Sequence, residues 1–291
     1  MDLNSFVTGT TKMLALVGNP VEHTLSPFIH NTLSRELGRE LIYVPFRGNI
    51  NRLDYMVEAF RELMVVGFNV TVPFKRDIMK YIDDNSREAI LMGAVNTVKM
   101  VENRFCGFNT DAAGFLRAFK DFGGTCKGKS IVLIGAGGSA RAIGVKLAME
   151  NVGNLRIINR TLSNADDLAS IINENIENIA SAYSLDSNEA IDIIKESDIV
   201  INTTNVGLYP YVESTPIKDV QVINSNHFVY DIIYNPFETK LLKEARKRGA
   251  TTLNGLGMLV HQAILAYEIW TGETISKELS DQITKNIKKL L

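Results

Sequence analysis

Gly135, Gly137 and Ala140 stand at the spacing of a turn that binds a dinucleotide pyrophosphate, inside the stretch SIVLIGAGGSARAIGVKLAM. Gly135 permits a tight turn, Gly137 lets a phosphate approach the backbone, and Ala140 keeps a helix close to the strand before it. The unbonded N–H groups at the start of that helix then face the phosphates. A second apolar run, Leu155 to Ile158, ends in Asn159, Arg160 and Thr161. An NAD site places a carboxylate there for the ribose hydroxyls. This chain has instead a guanidinium that can stack on adenine and pair with a 2′-phosphate. These residues predict NADP(H) as the cofactor.

Further polar groups gather at the ends of short apolar runs. Thr24 and Ser26 lie in GNPVEHTLSP, where Ser26 suits a helix N-cap and Pro27 the first helical position. Spacing alone favours the cap; two hydroxyls beside a helix start could equally hold a carboxylate. Asn69, Thr71 and Lys75 occupy NVTVPFK, at the carboxyl end of a predicted strand, the usual place for a ligand in such sheets. Asn96 and Thr97, then Asn109, Thr110 and Asp111, form two more clusters. A capping aspartate and a catalytic one look the same in sequence, so Asp111 stays open between them. Gln262 on a helix and Tyr234 at a strand end carry no signal of their own.

The elements that must position these groups alternate. Met13 to Val17, Leu41 to Phe46 and Phe68 to Val72 read as strands, with helices from Ser26 to about Leu37 and from Arg52 to Met64 between them. Such alternation predicts a largely parallel sheet with helices on its faces. A polar helix near Ser86 to Met92 precedes a hairpin of Ala94 to Met100 with Arg104 to Phe108, turning at Glu102 and Asn103. A helix from Ala112 to Phe122 leads through Gly123 and Gly124 into the glycine-rich unit. Beyond it a helix from Ala165 to Ile172, strands at Asp198 to Asn202 and Phe228 to Ile233, and a helix from Lys240 to Arg248 continue the pattern. Thr251 to Leu253 then leads into a long apolar helix.

Length and composition agree: 291 residues, 45% hydrophobic and 22% charged, suit a globular chain of two domains. A net charge of −2 supplies no basic field for nucleic acid or an anionic membrane. No apolar run reaches spanning length, and the polar start, residues 1 to about 11, reads as a loose extension without the features of a signal peptide. A cytoplasmic protein is the expectation. Cys106 and Cys126 are not in C-x-x-C spacing and the histidines are scattered, so neither a disulfide frame nor a metal is expected.

In order, GNPVEHTLSP, NVTVPFK, GAVNT, NTDAAGF, VLIGAGGSARA, NRT, DIIYNP and GLGMLVHQA make the chain resemble the shikimate dehydrogenase family over nearly its whole length. The resemblance implies an α/β protein of two domains. Residues 1–111 plus 255–291 would form a mostly parallel substrate-binding catalytic domain. Residues 112–254 would form a Rossmann-type NADP-binding domain, with the C-terminal helices packing back on the first. Thr24, where the family usually has serine, and Ser26 match its carboxylate-binding hydroxyls. Asn69, Thr71, Asn96, Asp111 and Gln262 match groups on the ring hydroxyls, and Tyr234 matches a pocket tyrosine. Lys75 and Asp111 match the catalytic pair. Gly135, Ala136, Gly137, Gly138, Ser139 and Ala140 match the phosphate loop, and Asn159 to Thr161 the NADP-selecting turn. Thr203, Thr204, Ile232 and Gly255 match positions around the nicotinamide, although TTNVG stands where the family often reads ATxxG.

The activity implied is NADPH-dependent reduction of 3-dehydroshikimate to shikimate, by a monomer or homodimer acting on a small molecule, with neither nucleic acid nor membrane as partner. A dual quinate/shikimate dehydrogenase using NAD or NADP is the nearest alternative. A non-catalytic NADPH-binding sensor is a remote one, since Lys75 and Asp111 are both present.

Overall fold

A computed structural model describes residues 7–291; the expected N-terminal extension lies outside the described residues over positions 1–6. Its remainder is a hydroxyl-bonded turn: the Thr8 N–H donates to Thr11 Oγ1 at 2.8 Å and the Thr10 hydroxyl to Glu40 Oε2 at 2.7 Å. The chain forms two compact units, one reaching up to Thr110 and resuming over Val260–Leu290, the other spanning Asp111–Leu259.

The first unit contains β1 (Lys12–Gly18), α1 (Ser26–Glu36), β2 (Leu41–Arg47), α2 (Leu53–Glu62), β3 (Gly67–Val70), β4 (Asp84–Asn85), α3 (Arg87–Met92), β5 (Thr97–Val101) and β6 (Arg104–Phe108). Its sheet runs β2-β1-β3-β5-β6-β4. The strands joined by α1 and α2 are parallel, as helical crossovers require. The hairpin β5–β6 is antiparallel, and Glu102 and Asn103 turn it with φ of 49° and 63°. Ala15, Val17, Val57, Phe60, Phe68, Val98 and Phe105 fill the core on one side of this sheet.

The second unit contains α4 (Asp111–Asp121), β7 (Ser130–Ile134), α5 (Gly138–Ala148), β8 (Asn154–Asn159), α6 (Leu162–Asn175), β9 (Ala180–Ser184), α7 (Asn188–Lys195), β10 (Ile199–Asn202), β11 (Phe228–Asp231), α8 (Lys240–Lys247) and β12 (Thr251–Leu253). Its sheet, β9-β8-β7-β10-β11-β12, is parallel throughout, the doubly wound order of dinucleotide-binding folds. That order reverses between β7 and β10, which leaves a crevice at their carboxyl ends. Strands buried on both faces read as continuous apolar runs, which is why SIVLI and IVIN are legible.

Helix α9 (Leu256–Thr271) is followed by α10 (Lys277–Lys288). Trp270 donates its indole N–H to the Val98 carbonyl at 2.8 Å, and Lys99 Nζ donates to the Ile269 carbonyl at 2.6 Å. The C-terminal helices thus pack on the sheet of the first unit. No helix among the described residues is long and apolar enough to cross a membrane.

Candidate active site

In the second unit, Gly135 follows β7 with φ of +107°, and a Cβ there would lie 2.6 Å from Thr203 Oγ1. Left-handed backbone and close approach both demand glycine. Gly137 is extended and precedes α5 without any side-chain cap, while Gly137, Gly138 and Ser139 are exposed. Their N–H groups are open to an anion. Ala140, 0% exposed, begins the buried stripe that continues through Ile143, Gly144 and Leu147 against the sheet. Ala136 is half-buried and lines, with Gly135 and Gly137, a pocket of about 370 Å³.

Asn159 and Arg160 border the same pocket, as do Thr203 and Thr204. Asn159 Nδ2 donates to the Thr161 carbonyl at 2.8 Å, which folds the turn and leaves Arg160 and Thr161 exposed. No aspartate or glutamate is among the described residues lining the pocket. A glycine cradle, an open helix start and an arginine without a competing carboxylate fit a phosphorylated dinucleotide.

Thr203 donates its hydroxyl to the Ile134 carbonyl at 2.7 Å, and Thr204 donates to Asn202 Oδ1 at 2.8 Å. Both hydroxyl hydrogens are used within the protein, so toward the pocket these hydroxyls can only accept. Ile232 is half-buried and donates its N–H to the Asn202 carbonyl at 3.1 Å. A Cβ on Gly255 would run into the Ile232 carbonyl, so only glycine lets these two segments meet. Tyr234, half-buried after β11, has a phenol pushed up by burial. Asp231, which the sequence reading did not single out, is 0% exposed at the end of β11, and burial pushes its carboxyl up to about 6.

In the first unit the expected N-cap at Ser26 is corrected. Leu25 occupies the cap position without a side-chain bond, and Ser26 is the first residue of α1. Its hydroxyl is therefore not used in capping; it accepts from Thr24 Oγ1 at 3.1 Å. Helix α1 is locked to β2 by Asn31, whose amide donates to the Tyr43 carbonyl and accepts the Tyr43 N–H at 2.8 Å.

Tyr43 donates to Asn69 Oδ1 at 2.8 Å, and Asn69 Nδ2 donates to the Asn96 carbonyl and to Thr97 Oγ1, each at 3.0 Å. The Asn96 carbonyl can only accept, which fixes the orientation of the Asn69 amide. Both Asn69 amide hydrogens are used, so its carbonyl can only accept. Asn96 is held in turn by Thr110, whose N–H donates to Asn96 Oδ1 at 2.8 Å. One buried network thus joins Tyr43, Asn69, Asn96, Thr97 and Thr110. No sequence signal separates a strand tyrosine of this kind from an ordinary core residue.

Lys75 is half-buried on the turn after β3. Phe74, 1% exposed, anchors that turn, and the Lys75 carbonyl accepts the Val95 N–H at 2.8 Å. Thr71 is half-buried and donates its N–H to the Val17 carbonyl at 2.9 Å. Gln262 is half-buried on α9, and Asp111 opens α4 immediately after the fixed Thr110. In the first unit hydrogen bonds link Thr24 with Ser26 and Asn69 with Asn96, and in the second Gly135 to Gly137, Asn159, Arg160, Thr203 and Thr204 line one pocket. Among the described residues no group of three or more His, Cys, Asp or Glu could hold a metal ion.

Fold and pocket define a nicotinamide-dinucleotide-dependent dehydrogenase. The sequence matches the family descriptions "Shikimate dehydrogenase substrate binding domain" over residues 16–98, "Shikimate / quinate 5-dehydrogenase" over 117–236 and "Shikimate 5'-dehydrogenase C-terminal domain" over 255–279. It is 41% identical over 284 residues to a shikimate dehydrogenase (NADP(+)) of Methanocaldococcus jannaschii, spanning 96% of this chain and 100% of that one. Among solved structures, a shikimate dehydrogenase in complex with NADP+ superposes with a TM-score of 0.89 at 40% identity, covering 99% of both chains. Shikimate 5-dehydrogenase of Listeria monocytogenes, in complex with shikimate and NAD, gives 0.93 at 35% identity over 97% of this chain and 98% of that one. The chain belongs to the shikimate dehydrogenase family.

Proposed function

We propose that this chain catalyses the reversible, NADPH-dependent reduction of 3-dehydroshikimate to shikimate, a step toward chorismate and the aromatic amino acids. The observation that carries it is a pairing. One unit holds a phosphate cradle and an arginine turn without a carboxylate; the other holds a fixed set of hydroxyls and amides suited to a small polyhydroxy acid.

Gly135 to Ala140 and Asn159 to Thr161 would hold the cofactor, with Thr203, Thr204, Ile232 and Gly255 shaping its nicotinamide end. Bound NADPH supplies the hydride. Thr24 and Ser26 donate to the substrate carboxylate, while Asn69, Thr71, Asn96 and Gln262 bind ring hydroxyls and Tyr234 lines the pocket. Reduction of the C3 carbonyl builds negative charge on its oxygen, and the Lys75 ammonium stabilises that charge and transfers a proton to it. Asp111 accepts a hydrogen bond from a substrate hydroxyl and fixes the ring. Residues 1–111 with 255–291 serve the substrate in this reading, and 112–254 the cofactor. The enzyme works in the cytoplasm as a monomer or homodimer.

The test is product analysis after incubating the purified chain with 3-dehydroshikimate and NADPH. Shikimate formed in equal amount to NADPH consumed is expected. NADPH consumption without shikimate, or none at all, would overturn the assignment.

A further inference from the structure

We propose that Asp231 is a positioning residue for the cofactor pocket: its carboxylate sets the amide of Asn202 and thereby the loop 203–206 beside Gly135. The proposal rests on the reading of that pocket as the NADP(H) site.

Asp231 and Asn202 end the neighbouring strands β11 and β10, opposite each other in register. Both are 0% exposed. Asp231 Oδ1 accepts from Asn202 Nδ2 at 3.0 Å and from the Ile233 N–H at 3.1 Å; Oδ2 accepts from the Thr239 hydroxyl at 2.7 Å. Three donors converge on one buried carboxylate, and it binds together the loops that leave both strands. Thr239 is also the N-cap of α8, so the carboxylate fixes that helix start too.

The consequence for the pocket runs through amide geometry. An asparagine amide has two faces of opposite hydrogen-bond sense. With Asn202 Nδ2 directed at an acceptor, Oδ1 must face the other way, where it accepts the Thr204 N–H at 3.0 Å and the Thr204 hydroxyl at 2.8 Å. That is an Asx turn, and it sets how the chain leaves β10. Thr204 Oγ1 then accepts the Val206 N–H at 3.2 Å, which fixes the next step of the loop. Thr203, held between these bonds, lies beside Gly135 and donates to the Ile134 carbonyl. Asn202 Nδ2 also makes a longer bond of 3.4 Å to the Val206 carbonyl, which favours the same orientation; the shorter bond to the buried Asp231 carboxylate is its main anchor. One carboxylate thereby braces the loop facing the phosphate turn.

The test compares Asp231→Ala, Asp231→Asn and Asn202→Ala in steady-state kinetics and NADPH fluorescence binding, with Arg160→Ala as a control on the pocket. Asp231→Ala is expected to raise the NADP+ KM about tenfold, the scale of one lost buried hydrogen bond to a charged group, and to leave the shikimate KM within about twofold. Asp231→Asn keeps an oxygen toward Asn202 and is expected to recover most of that loss. Asn202→Ala, which also removes the bonds to Thr204 and Val206, should cost at least as much as Asp231→Ala, and the double variant should be no worse than Asn202→Ala, because Asp231 acts through that side chain. If Asp231→Ala does not fold, Asn202→Ala and Thr204→Val decide by the same NADP+ shift. An unchanged NADP+ KM in these variants, with Arg160→Ala raising it, would overturn the positioning role and leave the pocket assignment standing. If Arg160→Ala changes nothing either, the pocket assignment falls and this proposal with it.

Discussion

Tyr43 and Asn69 are joined by a hydrogen bond of 2.8 Å, both side chains buried. The tyrosine thereby holds the proposed ring-binding amide in place. Tyr43→Phe keeps the stack on His30, whose ring centroid lies 4.2 Å away, and removes only the hydroxyl. The lost bond is worth about 1 kcal/mol. The shikimate KM should rise about fivefold, with the NADP+ KM unchanged; equal values for wild type and variant would refute the coupling.

Lys75→Ala should lower kcat by about a hundredfold or more, the usual scale for losing a positioned proton donor. The melting temperature should move little, because Lys75 is half-buried and Phe74 anchors its turn. Stopped-assay rates together with thermal unfolding check both halves. A variant with near wild-type turnover would remove Lys75 from the chemistry.

Arg160→Ala removes the one guanidinium that borders the pocket among the described residues. The NADP+ KM should rise about tenfold or more and the NAD+ KM much less, since NAD+ loses only a stack on adenine whereas NADP+ also loses the partner of its 2′-phosphate. Equal effects on both cofactors would show that Arg160 does not select between them.

Asp231 also gives a pH dependence. Burial raises its folded carboxyl to about 6 from the ordinary 3.8. Because the folded pKa lies above the unfolded one, the contribution is fully present below about pH 4 and is lost as pH rises through 6, at about 1.4 kcal/mol per unit. Asp231→Asn has no such titration. Urea unfolding should therefore show the variant gaining on wild type, by about 3 kcal/mol at most, between pH 4 and 7. A pH-independent difference would contradict the raised carboxyl.

Much of this arrangement was legible because it depends on backbone chemistry that few residues can supply. The Gly135 turn needs a left-handed conformation, the β5–β6 hairpin turns at Glu102 and Asn103, and Thr239 caps α8 as its position before the amphipathic run suggests. Strand β9 and helix α7 were not foreseen. ASAYS is small, polar and half-buried at a sheet edge, so alternation is weak there. The Ser187 cap of α7 was a usable signal, but the helix has only 8 residues. Ser26 misled for another reason: a serine before proline is a fair N-cap, yet the helix starts one residue earlier than that pattern implies. The roles of Tyr43, Asn202 and Asp231 depend on which strands become neighbours, and local sequence does not encode that.

The central claim, an NADP-dependent shikimate dehydrogenase, is tested most directly by nicotinamide absorbance with shikimate or quinate against NADP+ or NAD+. The highest kcat/KM is expected for shikimate with NADP+. Comparable values for quinate with NAD+, or no turnover in any of the four mixtures, would contradict it.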